Sequence, residues 1–312
     1  MSTVILLGPQ QPAPSLGPAL CRCGVVGPFT AVTTGWQERE GETGDLEEHL
    51  GAEVIDLRLY HRAEDVFGRD RLLALAYRER QVRLKELQRL YRVRLAHALA
   101  ALRELMAATG PPEPLAHARA GALAALRTLD RQHLREVRKL HAEFDAHWEP
   151  ATRGALAEHI EAIEELIRNS AALLIAGGHV AILVNRLRLF GIGELLGTRP
   201  LVAWSAGAMA LAERVVLFHD HPPQGPGDPE VLVHGLGLVP GIVPLPHARR
   251  RLALDDPVRV RLLAARFAPA RCLALEPGTR LQVTDGAWQQ ADRLRALAED
   301  GSVAEVALPC PA

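Results

Sequence analysis

Apolar residues follow three different rhythms along this chain. In residues 1–61 they come as short runs separated by turn-formers. Residues 4–7, 27–34 and 53–57 read as strands, 9–18 and 35–44 as loops, and 19–24 and 45–50 as short helices between them. Spacing of this β-α-β-α-β kind builds a parallel, doubly wound sheet. Residues 62–149 break that rhythm. The stretch 69–108 holds neither Gly nor Pro, and Leu84, Leu87, Tyr91, Leu95, Ala98, Leu102 and Leu105 recur at three- and four-residue steps. That is the stripe of a coiled-coil-like helix. Thr109-Gly110-Pro111-Pro112-Glu113-Pro114 stops it. A second helix then sets Leu126, Leu129, Val137, Leu140, Phe144 and Trp148 on one face and closes at Pro150. The two stripes are expected to pack as an antiparallel helical hairpin, ~50 Å long at 1.5 Å per residue.

From residue 150 the α/β rhythm returns. Helices are expected over 156–168, 181–190, 206–213 and 293–299, and strands over 171–176, 201–204 and 303–308. A strand pair over 273–275 and 280–284 is expected around Glu276-Pro277-Gly278. The whole reads as a three-layer, doubly wound, mostly parallel α/β sheet. Residues 1–61 and 150–312 form that domain, and 62–149 is an inserted antiparallel helical hairpin.

Composition narrows the classes. At 312 residues and 48% apolar, the chain can bury a sizeable core. A net charge of −1 points neither to nucleic acid nor to an acidic membrane. The hairpin is mildly basic but lacks interleaved aromatics, so its charge reads as a solvated face. The most apolar stretch, 95–108, carries Arg103 and Glu104 and does not read as a membrane span. The N-terminus has no basic region before its apolar run and reads as a strand, not a signal peptide. The four cysteines form no zinc pattern, and His219 and His221 lack the further ligands a metal needs. The expectation is a cytoplasmic protein without metal or cofactor.

The chemistry concentrates at Leu201-Val202-Ala203-Trp204-Ser205-Ala206-Gly207-Ala208. An apolar strand ends, a serine follows, and small residues open a helix, as in a nucleophile elbow. The same letters would also suit an inert Ala-rich corner. A serine needs a base and a group that orients the base. Downstream stand Phe218-His219-Asp220-His221 and Pro246-His247, in the chain order Ser, Asp, His. Gly177-Gly178 follows a strand and can bring a backbone N–H to a substrate carbonyl, beside the Ala206 N–H.

Paired Gly177-Gly178, a helix, Trp204-Ser205-Ala206-Gly207-Ala208, Asp220 and Pro246-His247 together resemble the peptidase S51 family, which includes dipeptidase E and cyanophycinase. The resemblance covers roughly residues 1–60 and 150–290 and implies a class I glutamine amidotransferase-like fold with serine at the elbow. It implies Ser205 as nucleophile, His247 as base, Asp220 as orienting acid with Glu276 as its rival, and Gly178 and Ala206 as oxyanion donors. His179, Trp204, Arg259, Arg261 and Glu276 are then the substrate-side residues. Three positions depart from the family pattern: His179 replaces an asparagine, Ala203 a glycine, and Met209 a residue that is often asparagine. The expected function is hydrolysis of a small peptide or other amide through an acyl-enzyme. The alternative is a catalytically silent homologue that acts as a binding or assembly protein, with the hairpin as the surface for a homo-oligomer.

Overall fold

The computed structural model describes residues 3–218 and 227–306. Five short apolar segments, β1 (Thr3–Leu7), β2 (Phe29–Val32), β3 (Val54–Asp56), β4 (Ala172–Ile175) and β5 (Leu201–Trp204), lie parallel in the order β3-β2-β4-β5-β1. β6 (Arg214–Leu217) and β7 (Glu230–His234) form a separate antiparallel pair. β8 (Ile242–Pro246) and β9 (Arg271–Leu275) run parallel in a second sheet. β10 (Arg280–Thr284) and β11 (Ala287–Asp292) return to the first sheet, antiparallel outside β1. β12 (Arg295–Leu297) and β13 (Val303–Glu305) extend the second sheet beyond β9, which leaves β8 as its edge. An edge is where a strand can contain Pro244 and Pro246.

β1, β4 and β5 are nearly unbroken apolar runs because both faces of the sheet are covered there, whereas β3 at the edge leaves Ile55 exposed and Asp56 half-buried. Alternate residues divide between two cores. Ile5, Leu7, Ala31, Leu174, Val202 and Trp204 meet α1 (Leu16–Arg22) and α2 (Gly44–Leu50). Leu6, Val32, Leu173, Ile175, Leu201 and Ala203 belong to the larger core on the other face. That core is completed by α3 (Leu59–Arg69), α4 (Arg71–Ala107), α5 (Pro112–Trp148), α6 (Gly154–Arg168), α7 (Val180–Leu189), α8 (Ile192–Leu195), α9 (Ala206–Leu211), α10 (Ala248–Arg251) and α11 (Pro257–Phe267). The architecture is therefore α/β with a mostly parallel central sheet and a long helical hairpin.

Local chemistry sets the helix ends. Asp70 starts α4, its carboxylate accepting the Leu73 N–H at 2.9 Å. Asp256 does the same for α11 by accepting from Val258 and Arg259, and Pro257 follows at the first helical position. Along the hairpin, Tyr91, Leu95 and Leu102 of the stripe are buried, as are Leu126, Leu129, Val137, Leu140 and Phe144. Leu84, Leu87, Ala98 and Leu105 are only partly buried.

A buried network joins the hairpin to the body at Arg266. Arg266 of α11 and Asp130 of α5 are 2% and 3% exposed. They meet in a two-point ion pair, Nε to Oδ2 and Nη2 to Oδ1, both at 2.8 Å. Nη1 donates to the Pro229 carbonyl at 2.6 Å. The Tyr91 hydroxyl accepts from Arg266 Nη2 at 2.8 Å and donates to Asp130 at 2.7 Å.

Four sequence expectations need correction. Residues 293–299 do not form a helix; they contain β12, which pairs with β9 and β13. Their helix-favouring letters are overridden by strand pairing. The segments 273–275 and 280–284 do not pair with each other: β9 and β10 belong to different sheets, and Glu276-Pro277-Gly278 is the crossing between them. The helix after Ser205 ends at Leu211 rather than 213, and Arg214 opens β6. α3 straddles the expected boundary at 61/62 and packs on α6 and α7 in the body.

Asp130→Ala leaves the Arg266 guanidinium buried without its counter-charge. It is expected to lower stability by about 3–5 kcal/mol in denaturant unfolding, and Asp130→Leu combined with Arg266→Met by much less.

Candidate functional site

The carboxyl ends of β4 and β5 open on one crevice, the usual place for a site in an open α/β sheet, and the end of β8 lines it from the second sheet. β5 ends at Trp204, and Ser205 follows with φ 53° and ψ −119° before α9 begins at Ala206. A non-glycine residue is held there only by its surroundings, at a cost of about 1–3 kcal/mol. The tight fit explains the small neighbours. A Cβ on Gly177 would lie 3.0 Å from Ser205 Cβ, and one on Gly207 would lie 2.3 Å from the Ile175 carbonyl oxygen. Gly178, at φ 110°, turns the chain after β4, and the next N–H, of His179, donates to Gly35 O at 2.8 Å. The Ala206 N–H opens α9 and has no acceptor within the helix.

Ser205, Gly178, Ala206 and Pro246 share a cleft of about 240 Å³ with Met209, Phe218, Asp228, Glu230 and Arg251. His247 follows directly on Pro246 at the end of β8, in the left-handed region at φ 57° and ψ 35°. Its N–H donates to Leu275 O at 3.1 Å, which fixes the turn against β9. The imidazole is partly buried. Burial, and then the nearby Arg251 and Arg250 charges, hold its pKa below the ordinary histidine value. At neutral pH it is therefore the free base, the form that can take a proton.

The other expected residues fall in different places. Asp220, His219 and His221 lie outside the described residues. Glu276 caps α10, its carboxylate accepting the Arg249 N–H at 2.6 Å, two residues after His247. His179 caps α7, with Nδ1 accepting from the Ile182 N–H at 3.4 Å. Trp204 is not among the cleft residues, because alternation along β5 turns it into the core beside α1. Arg259 donates to the Gly227 carbonyl at the cleft rim. Arg261 points away, to the Asp300 carbonyl. Among the described residues, the cation that lines the cleft is Arg251, one helical turn after His247. The basic run Arg249-Arg250-Arg251 was visible in sequence, and the four-residue step from His247 was its one signal. Asp228 and Glu230 gave no such signal.

Among the described residues no group of three or more His, Cys, Asp or Glu side chains could hold a metal ion. No helix among them is long and apolar enough to cross a membrane. Cys272 is a core residue whose thiol burial pushes up to about 12.

No family model matches the chain, and no curated protein matches it. Among solved structures it is similar to a peptidase from an acI-B1 Actinobacterium, with 14% identity and a TM-score of 0.46 over 96% of this chain and 91% of that one. It is also similar to a peptidase E candidate from Listeria monocytogenes EGD-e, with 11% identity and a TM-score of 0.43 over 96% of this chain and all of that one.

His247 is expected to titrate with a midpoint below 6.5, followed by NMR of its ring resonances. Arg251→Gln removes one of the two cations that disfavour the imidazolium and should move that midpoint upward.

Proposed function

We propose that the protein is a serine hydrolase that cleaves a peptide or other small amide through an acyl-enzyme. The observation that carries this reading is Ser205, held at positive φ in the β5–α9 turn and lining a cleft with Pro246, the residue directly before His247. His247, neutral at physiological pH, takes the Ser205 proton as the hydroxyl attacks the carbonyl carbon. The Gly178 and Ala206 N–H groups receive the oxyanion, the latter with the positive end of α9 behind it. The imidazolium then gives its proton to the leaving amine, and water repeats the cycle on the ester. Asp220 keeps the orienting role that chain order gives it. Glu276, engaged with the Arg249 N–H, fits the shaping of the histidine turn better than the orienting of its ring. Arg251 supplies the fixed positive charge in the cleft, which favours substrates with an anionic group near the scissile bond.

An alkyl fluorophosphonate is expected to label the wild type, and Ser205→Ala to abolish the labelling. A folded wild type that resists the probe sinks the hydrolase reading in favour of a catalytically silent homologue.

An assembly role for the hairpin is a second reading, favoured by one observation. Leu72, Leu75, Val82, Leu90 and Val93 are 47–66% exposed. At 100° per residue they fall in a single stripe along α4. Their spacing reads alike in both directions about residues 82–83, so α4 of a second copy laid antiparallel sets Leu72 on Val93 and Leu75 on Leu90. Glu86, within the stripe, is neutralised by Arg89 at 2.7 and 2.8 Å. Light scattering should then give twice the chain mass for the wild type and the single mass for Leu75→Glu combined with Leu90→Glu. A monomeric wild type removes this reading.

A further inference from the structure

One wall of the cleft is the segment 227–231, which presents Gly227, Asp228 and Glu230 beside Ser205. Every residue of it is tied by a side chain from α4 or α11. Arg92 grips Glu230 at two points, Nε to Oε2 at 2.5 Å and Nη2 to Oε1 at 2.8 Å. Gln88 Nε2 donates to Glu230 Oε2 at 2.9 Å and to the Val231 carbonyl at 3.2 Å. Arg103 pairs with Asp228. The Tyr91 hydroxyl accepts the Val231 N–H at 3.2 Å. From α11, Arg266 holds the Pro229 carbonyl and Arg259 the Gly227 carbonyl.

We infer that the hairpin positions this wall and sets the charge of the substrate cleft, with Arg92 and Arg103 as its positioning residues. The inference rests on the hydrolase reading of Ser205. Two carboxylates line the cleft, and their side chains are only 28% and 14% exposed. Left alone, each would make the cleft acidic and repel an anionic substrate. The hairpin arginines neutralise both from behind, so among the described residues Arg251 is left as the uncompensated charge lining the cleft. The two-point grip of Arg92 also fixes the carboxylate plane, which a lysine cannot do. A helical insertion thus shapes specificity without touching the substrate.

The test uses the full chain. Arg92 and Arg103 are 59% and 41% exposed, so their glutamine variants leave the core intact. Labelling rates of Ser205 are measured with two fluorophosphonates that differ only in a trimethylammonium or a carboxylate headgroup. Arg103→Gln is expected to raise the cationic-to-anionic rate ratio by about tenfold, equivalent to ~1.4 kcal/mol. Asp228→Asn in the same chain should return the ratio to the wild-type value, which a general loosening of the fold would not do. An unchanged ratio in a wild type and variant that both label overturns the inference and leaves the hydrolase reading standing. Hydrogen exchange supplies a measurement independent of labelling. Arg92→Gln should speed exchange of the Val231 amide at least tenfold while the β5 amides keep their rates. If no chain labels, the hydrolase reading fails. Unchanged exchange at Val231 then overturns the positioning role as well, and faster exchange confines that role to the wall.

Discussion

The ion pair between Arg266 and Asp130 determines how the two halves of this molecule meet. Two charges taken out of water lose several kcal/mol of hydration each, and their attraction offsets this only when every remaining polar atom is satisfied. Here the guanidinium reaches a carboxylate, a hydroxyl and a backbone carbonyl, and the Tyr91 hydroxyl closes the circuit. An apolar contact of the same size would tolerate sliding of the helices. A two-point ion pair does not, because a shift of one ångström breaks several hydrogen bonds together. The register between α4, α5, α11 and the start of β7 follows from it.

That register reaches the chemistry. Pro229, held by Arg266, lies between Asp228 and Glu230, which face the cleft. On the sheet side, the crevice is held by contrary means. Gly177, Gly178 and Gly207 bring backbone against backbone, and Ser205 is locked in a conformation that costs energy. One side of the cleft is thus fixed by steric closeness and the other by charge.

Much of this was legible in the sequence for simple reasons. Most of the parallel strands are short apolar runs rich in β-branched residues and bounded by turns, and their length separates them from buried helices. The hairpin stripes announced themselves by period, and the elbow by a serine between a strand and small residues. What escaped was set by partners distant in sequence. β12 has helix-favouring letters and becomes a strand because β9 offers it an edge. β6 and β7 each depend on the other, across a gap no local pattern bridges. Around the site, alternation along β5 placed Trp204 in the core. Arg251 lines the cleft because a single turn of helix after His247 brings it back, while Arg259 stands at the rim and Arg261 points away. Asp228 and Glu230 carry no local signal, because their place in the cleft depends on partners in α4 more than a hundred residues away.

The two prolines of β8 carry one more consequence. The N–H of His247 points toward β9, so by alternation positions 244 and 246 face the open side of the strand. Proline has no hydrogen there to give, and the outer margin of β8 offers carbonyls without donors beside the histidine turn. No further strand can zip onto that margin, so the two prolines end the second sheet at β8 and keep this edge from templating growth by another chain.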